Sequence, residues 1–494
     1  MRHNSEESFP ILQLAGLTLA ALCIGGYHLG VDDSEIYVPA AKKFLHSELY
    51  PFHSEFFLSH GHLTLFSPLL AWTSKLTRMP MDWTLFAWYL ATLFGMISAC
   101  WMLAKVCFVA PRARWSAVVM TTAVLTMPAA STALLLLDPC MTARSFSTPL
   151  SIFVLASYLG GRYLRTGAGI ILTAAVHPQM SCYLLFLIAT IWLVERHKRP
   201  RGQQSAGMAL MMGALPTGFR LTPATGAYRE ALLPRDYFFL YNWAWYEWIG
   251  LIAPLAILAW FWLGALRGTL PGFKRISFAM IPFGLLSIAA AAVISSSPKF
   301  EMLARLQPLR CFHLITLVFI LLLAGVAGEY LAKGRTWVIP SISVALAAGM
   351  FILARQTYPN SPQIEIPLAS SANPWVNALL WVRQNTPTDA VFAVDSYYFK
   401  DELNDVHGFR AVAERSSLSD HFKDGGVVSL FPALADEWKP MSDATFGLNH
   451  FTVQDFHRLR QEFPAISWTV IHGPAPNGMS CPYNQRGYAV CLIP

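Results

Sequence analysis

The chain has 494 residues, of which 54% are apolar and 13% charged, and its mean hydropathy is +0.42. Soluble globular chains carry about 25% charged residues, so this composition excludes a disordered chain, a nucleic-acid binder with a basic surface and an ordinary cytosolic enzyme. Residues 356–494 hold 14 of the 29 acidic residues and 9 of the 36 Lys and Arg. The chain therefore divides into an apolar, basic-fringed body, 1–355, and an acidic portion of soluble composition, 356–494.

A helix needs about 20 apolar residues to cross a bilayer core. The run 9–31 meets this, and no small-x-small cleavage site follows it, so it reads as an anchor rather than a cleaved signal peptide. Further spans are expected at 82–104, 115–137, 146–164, 246–266, 276–297, 311–332 and 336–355, with a weaker one at 205–221. Residues 61–77 are apolar but short and interrupted by Pro68, and 167–195 is broken by His177-Pro178. Dense Lys and Arg lie at 105–114, 162–165, 196–201, 267–275 and 333–335. All five become cytoplasmic if 61–77 lies along the interface and 167–195 forms two short helices turning at His177-Pro178. The expectation is an α-helical polytopic membrane protein of about 11 transmembrane helices. Its N-terminus is cytoplasmic and its C-terminal portion extracytoplasmic.

Residues 356–494 read as a small α/β domain. Asn373-Pro374 is a helix cap followed by Pro at the first helical position, and the stripe Val376, Leu379, Leu380, Val382 follows. Val391–Val394 and Ile466–Ile471 read as buried strands, and Thr452 with Asp455 as a capping box. Cys481 and Cys491 are expected to pair as a disulfide, which an extracytoplasmic compartment permits. The other six cysteines read as small hydrophobes.

The first outer loop, 32–80, opens with Asp32-Asp33-Ser34-Glu35-Ile36-Tyr37. Three carboxylates at a membrane surface are costly unless solvated, paired or liganded. Acidic residues at a helix N-terminus also favour the helix dipole, so both a solvated cap and a functional site fit the spacing. The same loop holds His53, Glu55, His60 and His62, of which His60-x-His62 is a candidate pair for a divalent ion and otherwise plain polar surface. The second outer loop holds Asp138 and Arg144, either a site or an internal pair. His177 reads as a helix cap or a substrate contact, and His313 as a side chain packed inside a span. Arg305 and Arg310, in ArgLeuGlnProLeuArg at an outer helix end, suit a phosphate or snorkel to lipid headgroups. The aromatic loop from Arg235 to Trp248 reads as an interfacial belt, with sugar or prenyl docking as the alternative.

An N-terminal anchor, the acidic D-[DE]-x-x-x-Y loop formed by Asp32, Asp33 and Tyr37, and interfacial helices at 35–50 and 61–77 together resemble the GT-C superfamily over residues 9–221. The split segment at His177-Pro178-Gln179 strengthens the likeness. These are membrane glycosyltransferases, including the protein O-mannosyltransferase and aminoarabinose transferase families. Residues 381–415 resemble the outer domains of a bacterial branch. The resemblance implies glycosyl transfer from a polyprenyl-phosphate sugar at the outer face of a bacterial inner membrane. Asp32 or Asp33 would be the base and Glu35 its support or a metal ligand; Tyr37, Asp138, Arg144, His177, Arg305 and Arg310 would bind substrate. A divalent metal stays open, since Asp138 has no partner carboxylate beside it. The implied partners are the lipid-linked donor and membrane lipid, not nucleic acid. The rival reading is a non-catalytic lipid or glycolipid transporter or a scaffold. Against ion-coupled transport, ionisable residues are nearly absent from span interiors, and no Walker, HExxH or GxSxG pattern sits in a suitable context.

Overall fold

The computed structural model describes residues 9–130, 132–196, 222–367 and 370–494; the weak candidate span 205–221 lies outside them. In chain order the first helices are α1 (Ile11–Gly25), α2 (Ser34–Leu45), α3 (Glu55–Gly61), α4 (Phe66–Thr77), α5 (Met81–Cys107), α6 (Pro111–Ala123), α7 (Ala143–Leu159), α8 (Tyr163–Val176) and α9 (Pro178–Arg196). Six helical stretches among the described residues are long and apolar enough to cross a membrane. They are α5, Pro178–Glu195 within α9, Trp245–Leu263, Pro271–Ser295, Pro298–Leu331 and Val338–Thr357. α1 and α8 are apolar but shorter. The expected total of about 11 thus exceeds what helix length and hydropathy establish.

Of the two interruptions expected, the one at His177-Pro178 falls in place, whereas the 61–77 stretch breaks at 62–65 and not at Pro68. The 61–77 stretch is divided, and α4 has only 12 residues, short of the about 20 that a crossing needs. Pro68 falls in its first turn, where the missing N–H costs nothing. α8 and α9 meet at His177, with Pro178 opening α9.

The apolar run 115–137 departs from expectation. It is helical only to Ala123, and then turns back through a short hairpin pairing β1 (Pro128–Ala129) with β2 (Leu134–Leu135). Pro128 lacks an N–H and disfavours helical geometry at Met127. The irregular backbone is tolerated because it lies inside protein: Leu136 N–H donates to Met127 O at 2.9 Å and Leu137 N–H to Leu125 O at 2.8 Å. His313, buried on the helix Cys311–Leu331, lies 3.1 Å from the carbonyls of both Leu135 and Leu136. It holds the loop rather than merely packing.

The C-terminal portion carries a five-stranded mixed sheet, ordered β4 (Ser416–Ser417), β3 (Val391–Val394), β5 (Ile466–His472), β7 (Tyr488–Leu492), β6 (Tyr483–Gln485). The first three strands are parallel and the remaining pairings antiparallel. Asn373 caps the helix Pro374–Asn385 by accepting from Val376 N–H, and Thr452 and Asp455 cap each other reciprocally. Cys481 and Cys491 form a disulfide.

This portion is stitched through backbone to residues 27–32, between α1 and α2. Tyr27 pairs with Ile364 and Val31 with His407, Asp32 N–H donates to Val406 O at 3.0 Å, and Gly408 N–H to Gly30 O at 2.8 Å. Gly408 passes so close to α2 that a Cβ there would stand 2.1 Å from Glu35 Oε2.

Candidate active site

A cavity of about 1170 Å³ lies between the 32–64 and 133–144 loop regions, the start of α9, the latter part of Pro271–Ser295, the 305–311 turn and the segment 422–431. Asp32, Asp33, Tyr37, Arg144, His177, Arg305 and Arg310 all line it. Residues spread over 279 positions of sequence are thus brought to one place. Its remaining wall is largely apolar, with Ile36, Leu63, Phe186, Leu286 and Ala290.

The carboxylates sit where the anchor's exit loop enters α2. Asp32 takes a left-handed backbone, φ 51°, which aspartate tolerates better than most residues. Its side chain is 53% exposed and pairs with Lys423. Asp33 is more enclosed: Oδ2 accepts from Arg144 at 2.8 Å and Oδ1 from Lys423 at 3.0 Å. Burial pushes the Asp33 carboxyl up, but Arg144, with Arg310 and His60 beyond it, more than reverses this and holds it below the usual aspartate value.

Arg144 lies in the first turn of α7, positioned by a capping box between Thr142 and Ser145. The same Nη2 that meets Asp33 also meets Asp138 Oδ2 at 2.9 Å. Asp138, 6% exposed, accepts in addition from the Thr142 hydroxyl at 2.8 Å. Asp138 therefore stands behind Arg144 as the internal pair, outside the cavity lining.

On the opposite wall, Gln179 Nε2 donates to Gln307 Oε1 at 3.2 Å and the Tyr183 hydroxyl to Leu306 O at 2.9 Å. These bonds fasten the turn that carries Arg305 and Arg310 to α9. Arg310 lies over the Tyr237 ring at 5.2 Å, and its Nε is buried with no hydrogen-bond partner. His177 caps α9, its Nδ1 accepting from Met180 N–H at 3.4 Å, and it also lines the cavity.

Glu35 is a correction. It does not line the cavity; its oxygens accept from Arg410 Nε at 2.8 Å and from the N–H groups of Arg410 and Ala411 at 2.9 Å each. Two residues apart on a helix are about 200° apart around its axis, so Asp33 and Glu35 face opposite ways. The histidines divide for a similar reason. His60 lines the cavity, and burial, with Arg310 adding to it, holds its pKa down to about 4, so it is neutral. His62 packs its ring against Phe44 instead.

The donors do not suit a divalent ion in the cavity. Asp33, Asp138 and Glu35 already accept from cationic side chains, which leaves no converging set of free carboxylates. Among the described residues, the one group with metal-compatible spacing is His53, Glu55 and Glu437, outside the cavity lining. There His53 Nδ1 lies 2.6 Å from Glu55 Oε1 and 3.4 Å from Glu437 Oε2.

Sequence reasoning missed Lys423 and Arg410, and took Arg235 only as the start of the aromatic loop. Lys423 opens the helix Lys423–Leu430 and reaches Asp32 and Asp33 across about 390 positions. Arg235 lines the cavity and donates to Phe422 O at 3.1 Å. A smaller cavity, about 450 Å³, adjoins Lys42, Asp82 and Arg383, whose charges are paired among themselves and with Glu414.

The arrangement sets a carboxylate pair against several cations, with an apolar wall beside them. It can accept a proton at one end and hold an anion bearing a hydrocarbon chain at the other. No protein-family model matches the chain, and no curated protein matches it.

Proposed function

We propose that this chain is a membrane glycosyltransferase of the GT-C type, moving a sugar from a polyprenyl-phosphate carrier to an acceptor at the outer face of a bacterial inner membrane. The observation that supports it is the single cavity shared by Asp32, Asp33, Arg144, His177, Arg305 and Arg310. In this reading about 11 helices cross the membrane, the N-terminus is cytoplasmic and residues 356–494 stand outside.

Asp32 is the better base, because only one of its oxygens is engaged whereas both Asp33 oxygens are. The acceptor hydroxyl gives its proton to Asp32 while its oxygen attacks the anomeric carbon. The bond from that carbon to the phosphate oxygen breaks, and its electron pair leaves with the lipid phosphate. Arg310, with Arg305 beside it, meets the charge that develops there. The prenyl chain runs along Phe186, Leu286 and Ala290.

The test is a purified-protein assay with polyprenyl-phosphate sugars, comparing wild type with Asp32→Asn and Asp33→Asn. Release of free polyprenyl phosphate by wild type and its loss in Asp32→Asn is the expected result. Wild-type turnover that neither substitution reduces overturns the assignment of the base, and no turnover with any such donor favours the transporter or scaffold. Arg458 is mostly exposed, so labelling of Arg458→Cys in intact spheroplasts by an impermeant maleimide checks the side on which the C-terminal portion stands.

A further inference from the structure

We infer that Lys423, delivered from the C-terminal portion, is a positioning residue of the same site, holding the Asp32–Asp33 pair ionised and oriented; the inference rests on the reading above. Lys423 Nζ lies 3.0 Å from Asp33 Oδ1 and also pairs with Asp32. Its side chain is only 17% exposed, and burial pushes its pKa down to about 7, so its charge and that of the carboxylates it meets depend on one another. Phe422, Gly426 and Phe431 of the same segment form part of the cavity wall.

A separate device already docks this segment. Arg410 joins Glu35 on α2 to Asp424 at 2.7 Å, and Arg235 ties down the Phe422 carbonyl. Asp33 and Glu35 lie two residues apart on one element, as Lys423 and Asp424 are neighbours on the other. Two bridges therefore run side by side, one fully buried and one facing the cavity. The buried bridge fixes the distance between the elements. The Lys423 bridge ends instead on carboxylates that line the cavity, where it bears on their charge state and direction. The other groups facing these carboxylates are Arg144, Arg310, His60 and Tyr37, and Arg144 engages only Asp33 of the two. Among the described residues, Lys423 supplies the one cation bonded directly to Asp32.

An opposite charge within about 4–6 Å lowers a carboxyl pKa by about 1–3 units. The experiment is the pH profile of kcat/KM for the purified protein with a polyprenyl-phosphate sugar. In Lys423→Gln the acid limb is expected to move upward by about one unit or more, and Lys423→Arg is expected to restore it. An unmoved limb in a folded Lys423→Gln overturns the inference. So does a gain in activity, which would make Lys423 a plug. A second readout does not depend on turnover: acetylation of Lys423 by acetic anhydride, followed by mass spectrometry, in wild type and in Asp32→Asn/Asp33→Asn. Faster acetylation in the double variant supports the pairing, and an equal rate overturns it. If wild type turns over no such donor, the glycosyltransferase reading fails, and the acetylation rates decide the pairing alone.

Discussion

Arg410 Nε donates to Glu35 Oε1 at 2.8 Å across 375 positions of sequence, and both side chains are almost wholly buried. Removing Arg410 strands Glu35 together with Asp420 and Asp424, which Arg410 also meets, and removing the Glu35 charge leaves Arg410 to those two alone. Breaking a buried pair of this kind costs about 3–5 kcal/mol. Glu35→Gln and Arg410→Leu are each expected to lower the melting temperature in detergent clearly. Gly408→Ala should do the same without touching any charge, because its methyl group has no room beside Glu35. Unchanged melting in all three would mean that the docking is not as described.

The two aspartates should separate kinetically. Asp32→Asn is expected to lower kcat by about 10²–10⁴-fold with little change in KM, as loss of a general base does. Asp33→Asn releases Arg144 from one of its two carboxylates and should raise KM as well as lower kcat. Initial rates at varied donor concentration decide between them, and identical behaviour would remove the division of roles.

Arg310 has a buried Nε without a partner. A hydrogen bond to a charged group is worth about 1.5–3 kcal/mol, so Arg310→Ala should weaken polyprenyl-phosphate binding by about 10- to 100-fold. Arg310→Lys should recover only part, since it keeps the charge but loses the fork. Titration of each variant with polyprenyl phosphate measures this; wild-type affinity in Arg310→Ala would place the phosphate elsewhere.

A pH effect is expected at the seam between the loop and the C-terminal portion, where His407 Nε2 lies 3.0 Å from both oxygens of Glu365. Burial lowers His407, but Glu365 more than reverses it, so its pKa is raised. Burial raises Glu365, but His407 and His28 more than reverse it, so its pKa is lowered. A raised histidine stabilises fully below its usual 6.5 and loses this as pH climbs through the folded value. A depressed glutamate stabilises above its usual 4.5 and loses this as pH falls through its own folded value. His28, held down by burial, has the opposite sign to His407 and favours unfolding below 6.5. The melting temperature of wild type minus that of His407→Gln should therefore be largest between about pH 4.5 and 6.5 and shrink in alkali. A flat difference would mean no ion pair.

Reducing the Cys481–Cys491 disulfide opens a loop of sequence separation 10 and should cost about 2–3 kcal/mol. Alkylation before and after reduction counts the thiols, and the melting temperature of Cys481→Ala/Cys491→Ala reports the loss.

What was legible in the sequence was local or chemical. The break at His177-Pro178, the caps at Asn373 and Thr452, and strands 391–394 and 466–471 each follow from nearby residues. The gathering of Asp32, Asp33, Arg144, His177, Arg305 and Arg310 was implied by the GT-C resemblance and by no spacing within the chain. Lys423 and Arg410 were hidden because an ion pair closing across hundreds of positions leaves no periodicity. Glu35 was misjudged because proximity in sequence was read as proximity in space, although helical rotation turns it away from Asp33. The run 115–137 misled for a different reason: apolarity and length signal burial, and this backbone is buried in protein as a loop.

That loop sets an order of assembly. Its carbonyls at Leu135 and Leu136 are met by His313, which leaves the ribosome more than 170 residues later. Until then the stretch leading to Asp138 has only its own hairpin bonds, such as Leu136 N–H to Met127 O and Leu137 N–H to Leu125 O. The cavity wall, which also takes in Phe422, Lys423 and Phe431, is therefore complete only after residues far beyond that helix have been made.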